Sequence, residues 1–151
     1  MSLYGKLEAD VEIKAPANKF HEVFCSRPHH ISTMSPDKIQ ACNLHEGDLG
    51  KEGSVIGWNY VHDGEAKVGK QKVEAIDQVN NSITLKLIEG DVLKQYKSFV
   101  SKIQATPKGN GSVVHWTFEY EKLNQSVAHP ETLLDLAVQM SKDIDSYLTQ
   151  A

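Results

Sequence analysis

Residues 46–60 read EGDLGKEGSVIGWNY, with glycines at 47, 50, 53 and 57, Lys51 among them and Ser54 directly after the third. Glycine, lysine and serine this close together are the ingredients of a phosphate cradle, so a nucleotide enzyme is the first chemistry to weigh. A P-loop, G-x-x-x-x-G-K-[ST], sets its lysine after the last glycine, between a buried strand and a helix. Here Lys51 precedes Gly53, and the SVIGWNY that follows is β-branched and aromatic, a strand pattern. Without a helix N-terminus to receive an anion, the glycines need a reason other than phosphate.

Other chemistry is just as thinly supported. Of seven histidines only His29 and His30 adjoin, adjacent residues point apart on a helix, and neither H-x-x-x-H nor H-E-x-x-H occurs. His115 reads as exposed and His129 as a helix-start residue. No G-x-S-x-G is present. Cys25 closes an apolar helix and reads as a buried, inert thiol. Glu119/Glu121 and Asp143/Asp145 read as solvated pairs, with nothing around them to desolvate an acid. Neither catalytic residues nor a metal or cofactor are expected.

The bulk numbers narrow the classes further. A chain of 151 residues, 40% hydrophobic and 24% charged, is expected to form one domain over 1–151. A net charge of −4 argues against a nucleic-acid surface. Lys67, Lys70 and Lys72 read as the solvated face of a strand. No apolar run approaches the ~20 residues of a membrane span, and MSLYGKLEAD lacks the apolar stretch of a secretion signal. Two cysteines without a CxxC suit a reducing compartment, and a cytoplasmic location is expected.

The elements that would position any site follow from periodicity. Leu7, Ala9, Val11 and Ile13 alternate as an opening strand within 3–14. Pro16 at a first helical position, with Phe20, Val23 and Phe24 behind it, predicts a short amphipathic helix that Pro28 ends. A brief helical turn before Pro36 and a strand over 38–45 come next. Strands are then predicted at 54–62, 65–76, 82–89, about 94–105 and 112–121. The breaks fall at His62-Asp63-Gly64, Asp77 to Asn81, Glu89-Gly90-Asp91 and Pro107 to Gly111. From Pro130 the period changes: Leu133, Leu136, Ala137, Met140, Ile144, Tyr147 and Leu148 form one helical stripe.

Seven antiparallel strands must bury one face, and the last helix is the only large apolar partner. A twisted sheet of that width curls around it. Ile56, Trp58 and Tyr60 share one face of their strand, as do Ile83, Leu85 and Leu87, and Val114, Trp116, Phe118 and Tyr120. On pattern alone these side chains either fill a core or wall a cavity in which indole N–H and phenol O–H orient a ligand.

The run RPHHISTMSPDKIQACNLHEGDLGKEGSVIGWNYVHDGEAK, followed by IEGDVL, YKSF and ATPKGNGSVVHW, closely resembles the plant major latex protein family. That family is a branch of the superfamily of the birch pollen allergen and class-ten pathogenesis-related proteins, and the resemblance spans the chain. It implies an α+β helix-grip (START-like) fold: a curved seven-stranded antiparallel sheet, two short helices in a V and a long C-terminal helix around a hydrophobic cavity. Gly47, Gly50 and Gly53 then look like the family's glycine-rich hairpin loop, where backbone conformation demands glycine.

Carried onto this chain, the family's cavity draws Phe20, Phe24 and Cys25 from the short helices. It draws Ile56, Trp58, Tyr60, Val68, Ile83, Leu85, Leu87, Phe99, Val114, Trp116 and Phe118 from the strands. Leu136, Ala137, Met140 and Ile144 come from the last helix. One superfamily member condenses an amine with an aldehyde through a cavity lysine on the last strand; the register Val114, Trp116, Phe118, Tyr120 holds no lysine. The resemblance therefore implies an intracellular carrier for a hydrophobic or amphipathic small molecule (steroid, triterpenoid, phytohormone or lipid), in defence or stress response. The alternatives are an isomerase-like or ribonuclease-like enzyme using the same cavity, and a signalling partner switched by ligand. The sequence names no protein partner.

Overall fold

The computed structural model describes residues 3–150. The chain runs β1 (Tyr4–Ile13), α1 (Ala17–Ser26), a 3-10 turn over Pro28–His30, α2 (Ile31–Met34), β2 (Ile39–Glu46), β3 (Val55–His62) and β4 (Glu65–Asp77). It continues through β5 (Ser82–Gly90), a 3-10 turn over Asp91–Lys94, β6 (Tyr96–Lys108), β7 (Gly111–Lys122) and α3 (Glu131–Leu148). The strands form one seven-stranded antiparallel sheet in the order β1-β7-β6-β5-β4-β3-β2. From β2 to β7 each strand pairs with its successor, and β1 crosses over to β7, so β1 and β2 are the edges. This is the curved sheet and long helix that the resemblance implies.

Local chemistry sets the hairpins. Asp63 and Gly64 stand at φ 52° and 76°, the two-residue mirror-image turn whose twist matches that of the flanking strands. Asp77 closes the next hairpin, its carboxylate accepting the backbone N–H groups of Val79 and Asn80 at 3.1 Å each. Register shifts between Ile39 and Ala41 on β2, and between Lys70 and Gln71 and between Val73 and Ala75 on β4, mark irregularities of the kind that bend a sheet. Pro107 does not end β6 as the sequence predicts. It lies past Gln104, the last residue paired with β5, where a missing N–H is tolerated, and the strand runs on to Lys108.

Pro16 and Pro130 stand one residue ahead of the first helical position. Their carbonyls accept from Phe20 N at 3.2 Å and Leu134 N at 3.1 Å. α3 buries Leu134, Ala137, Met140, Ser141 and Ile144 at three- and four-residue spacing. α1 buries Phe20, Val23 and Phe24 and packs over β5, β6 and β7. Among the described residues no helix is long and apolar enough to cross a membrane.

Candidate functional site

Between the sheet and α3 lies a hollow with about 730 Å³ of atom-free space, part of it continuous with solvent. Phe24 of α1 and Ile39 of β2 contribute to its wall, with Trp58 and Tyr60 of β3, Gln71 of β4 and Leu85 and Leu87 of β5. Val92 of the second 3-10 turn, Phe99, Ser101 and Ile103 of β6, and Trp116 and Phe118 of β7 continue it. Leu133, Leu136, Ala137 and Met140 of α3 close it. The two-residue steps along each strand reflect pleating, which sends alternate side chains to one face.

Aromatic edges stiffen this wall. Phe24 meets Trp116 edge-on at 5.7 Å between ring centroids, and Phe99 lies 4.9 Å from Phe118. The indoles are anchored by their N–H groups: Trp58 Nε1 donates to Gln71 Oε1 at 2.9 Å, and Trp116 Nε1 to Ser141 Oγ at 2.8 Å. Ser141 Oγ in turn donates to the carbonyl of Ala137, at 2.8 Å. Burial pushes the Tyr60 phenol up to about 12, with the Asp91 carboxylate adding to the shift, so it stays a neutral donor.

Eleven of the residues expected in the cavity stand on this wall: Phe24, Trp58, Tyr60, Leu85, Leu87, Phe99, Trp116, Phe118, Leu136, Ala137 and Met140. Six others, Phe20, Cys25, Ile56, Ile83, Val114 and Ile144, are buried in the packed core off the wall. There α1 packs on β5, β6 and β7, and α3 on β1 and β7. Val68 is a register error, since it is 52% exposed on the opposite face. On β4 the inward set is Gly69, Gln71 and Val73; Val68 faces out, its backbone N–H donating to Asp91 Oδ2 at 2.7 Å.

Six wall residues were not among those expected: Ile39, Gln71, Val92, Ser101, Ile103 and Leu133. Ser101 and Ile103 follow Phe99 by two-residue steps, and Leu133 belongs to the α3 stripe, so both signals were present in the pattern. Gln71 gave none, being a polar residue between Lys70 and Lys72. Gly47, Gly50 and Gly53 lie off the wall. Each has positive φ (78°, 84° and 89°), the left-handed conformation that explains glycine without a phosphate.

The two ends of α3 are held differently. At its C-terminal half Asp145 accepts the backbone N–H of Lys14 (Oδ1 and Oδ2, 3.1 Å each) and of Ala15 (Oδ1, 2.8 Å), locking the β1–α1 corner. Asp143 accepts from Ser35 Oγ and Lys38 Nζ, both at 2.7 Å. These two carboxylates are therefore structural clamps and not the solvated pair that their spacing predicts. At the other end, Thr132 Oγ1 meets His62 Nε2 at 2.8 Å and donates to Asp63 Oδ2 at 3.4 Å, so the β3–β4 turn touches the first turn of α3 through exposed hydrogen bonds at one hydroxyl. Tyr60, Val92 and Leu133 there are only half-buried.

The remaining titratable groups serve the frame. Burial raises the Cys25 thiol to about 11, with its Sγ 3.2 Å from His21 Nε2. Glu119 pairs with Lys102 at 2.7 Å, Lys67 with Glu65 and Lys70 with Glu89 at 3.0 Å each. His115 bonds Asp10 and Glu8 across β1, and His129 Nδ1 meets Tyr120 Oη at 2.5 Å. His29 and His30 do not point apart: on their 3-10 turn the rings lie 4.2 Å apart, edge to face. Among the described residues no three His, Cys, Asp or Glu side chains gather to hold a metal.

Comparison with known proteins places this geometry. The Pathogenesis-related protein Bet v 1 family matches residues 2–151. MLP-like protein 31 of Arabidopsis thaliana is 62% identical over 149 residues, 97% of this chain and 87% of its own length. MLP-like protein 34 of the same plant is 62% identical over 144 residues, 94% of this chain, which spans only 46% of that longer relative. The crystal structure of ginseng major latex-like protein 151 from Panax ginseng superposes with a TM-score of 0.95 at 41% identity, covering 98% of this chain and 99% of the other.

Proposed function

The chain belongs to the pathogenesis-related Bet v 1 family, and from that premise we propose that it is a carrier for hydrophobic or amphipathic small molecules of steroid, triterpenoid, phytohormone or lipid class. The observation that carries this reading is the apolar hollow itself, walled by the sheet, α1 and α3. Burial of apolar ligand surface there supplies the affinity, at ~25 cal/mol per Å² before the ordering costs of binding. Gln71, Ser101 and Tyr60 supply the polar groups that orient the cargo. The β3–β4 turn and the first turn of α3 part to admit it, since only exposed hydrogen bonds at Thr132 are described between them.

A binding role is favoured over catalysis by the wall's composition. Its β7 register, Trp116 and Phe118, holds no lysine, and the nearby Cys25 thiol stays protonated. Free, buried Cys25 and Cys42 support a cytoplasmic setting, and the family's description extends the reading to defence or stress response.

Native mass spectrometry after incubation with a plant metabolite extract tests it. A bound mass of roughly 200–1,000 Da, sized to such a site and released unaltered, is the expected result. Release of a chemically altered molecule would replace carrier by enzyme, and no bound mass from a broad extract would remove the carrier reading.

A further inference from the structure

The polar groups of the hollow narrow its cargo, on the premise that the carrier reading holds. We infer that the site takes neutral molecules bearing a hydrogen-bond acceptor (a ketone, an ester, a hydroxyl) on an apolar frame, and rejects the carboxylate forms of the same frames.

None of the seventeen residues of the wall carries a formal charge. Both indole N–H groups are already committed, Trp58 to Gln71 and Trp116 to Ser141. An indole nitrogen can only donate, so Gln71 meets Trp58 with its amide oxygen. That leaves the amide NH2 of Gln71 on the wall with no hydrogen bond to any described residue. The Tyr60 hydroxyl likewise has no partner there, and burial keeps it protonated. The site thus offers donors without a cation.

The mouth does not supply the missing cation. The charges around it are the carboxylates of Asp63, Glu65 and Asp91, and the bases beside them are matched. Lys67 pairs with Glu65 at 3.0 Å, Lys94 with Asp91 at 2.9 Å, and His62 lies 3.5 Å from Asp63. A buried carboxylate without a counter-charge keeps its full desolvation cost. A neutral carbonyl meets donors that no described residue engages.

The test is equilibrium dialysis of the whole protein against radiolabelled methyl dodecanoate and dodecanoate, at a pH where the acid is ionised. The ester is expected to bind roughly a hundredfold more tightly than the anion. Equal binding, or tighter binding of the anion, would overturn the inference. Gln71→Glu keeps the oxygen that Trp58 needs but removes the NH2, and is expected to weaken the ester about tenfold; an unchanged ester affinity would overturn the role given to that amide. Failure of the ester alone, with cargo still recovered from plant extract, would sink this inference and leave the carrier standing. Failure of both would remove the carrier reading with it.

Discussion

The C-terminal half of α3 and its N-terminal half bury similar apolar stripes and end in opposite states. Around Ser141 and Ile144 the packing is closed: both are 0% exposed, as are Phe20, Ile31 and Val114. Asp145 and Asp143 tie this end to the β1–α1 corner and to the α2–β2 segment. Around Leu133 and Leu136 the same helix faces a void, and exposed hydrogen bonds at Thr132 tie it to the β3–β4 turn. One helix is therefore anchor at one end and movable wall at the other. A binding site needs both, because a hollow persists only where its surroundings are too well fixed to collapse into it.

The largest effect that separates the ends is expected at Phe20. Phe20→Ala opens a cavity in the sealed end and should cost about 3–5 kcal/mol in urea unfolding, with cargo binding intact in the molecules that remain folded. Asp145→Ala comes next, leaving the N–H groups of Lys14 and Ala15 without their acceptor, for about 1–3 kcal/mol by the same measurement. Asp145→Asn should recover part of that loss, because the amide oxygen still accepts. Leu133→Ala reverses the pattern: it borders a space already empty and should cost under about 1 kcal/mol, while changing cargo dissociation measurably. Equal stability losses at Phe20 and Leu133 would erase the distinction between the ends.

The smallest effect lies on the outer face. The Asp10 hydrogen bond raises His115 above the ordinary histidine value, with Glu8 reinforcing it and burial opposing. A base with a raised folded pKa stabilises the protein fully below its unfolded value, about 6.5, and loses that contribution as pH rises through the raised value. His115→Gln should flatten this part of the stability profile and leave cargo binding unchanged.

Much of the fold was legible because its signals are local. The steps Ile83, Leu85, Leu87 and Trp116, Phe118, the Asp63-Gly64 turn and the α3 stripe each declare an element within a few residues. The division into sealed and open ends was not legible, since it depends on where α1 and α3 meet the sheet. Asp145 and Asp143 look solvated in sequence because their partners lie 131 and 108 residues away. Val68 was misplaced and Gln71 overlooked for one reason: β4 carries lysines on both faces and a glycine at an inward position, so its hydrophobic pattern does not declare its parity.

Ala137→Leu tests the central claim most directly, because it adds volume to the wall at mid-helix without touching either clamp. If the space is a ligand site, the larger side chain enters it: the unfolding midpoint holds or rises, and native mass spectrometry finds the extract-derived cargo lost. If the space is instead packed core, overfilling should cost about 1–3 kcal/mol. That loss, or cargo retained undiminished by a stable Ala137→Leu protein, would contradict the account.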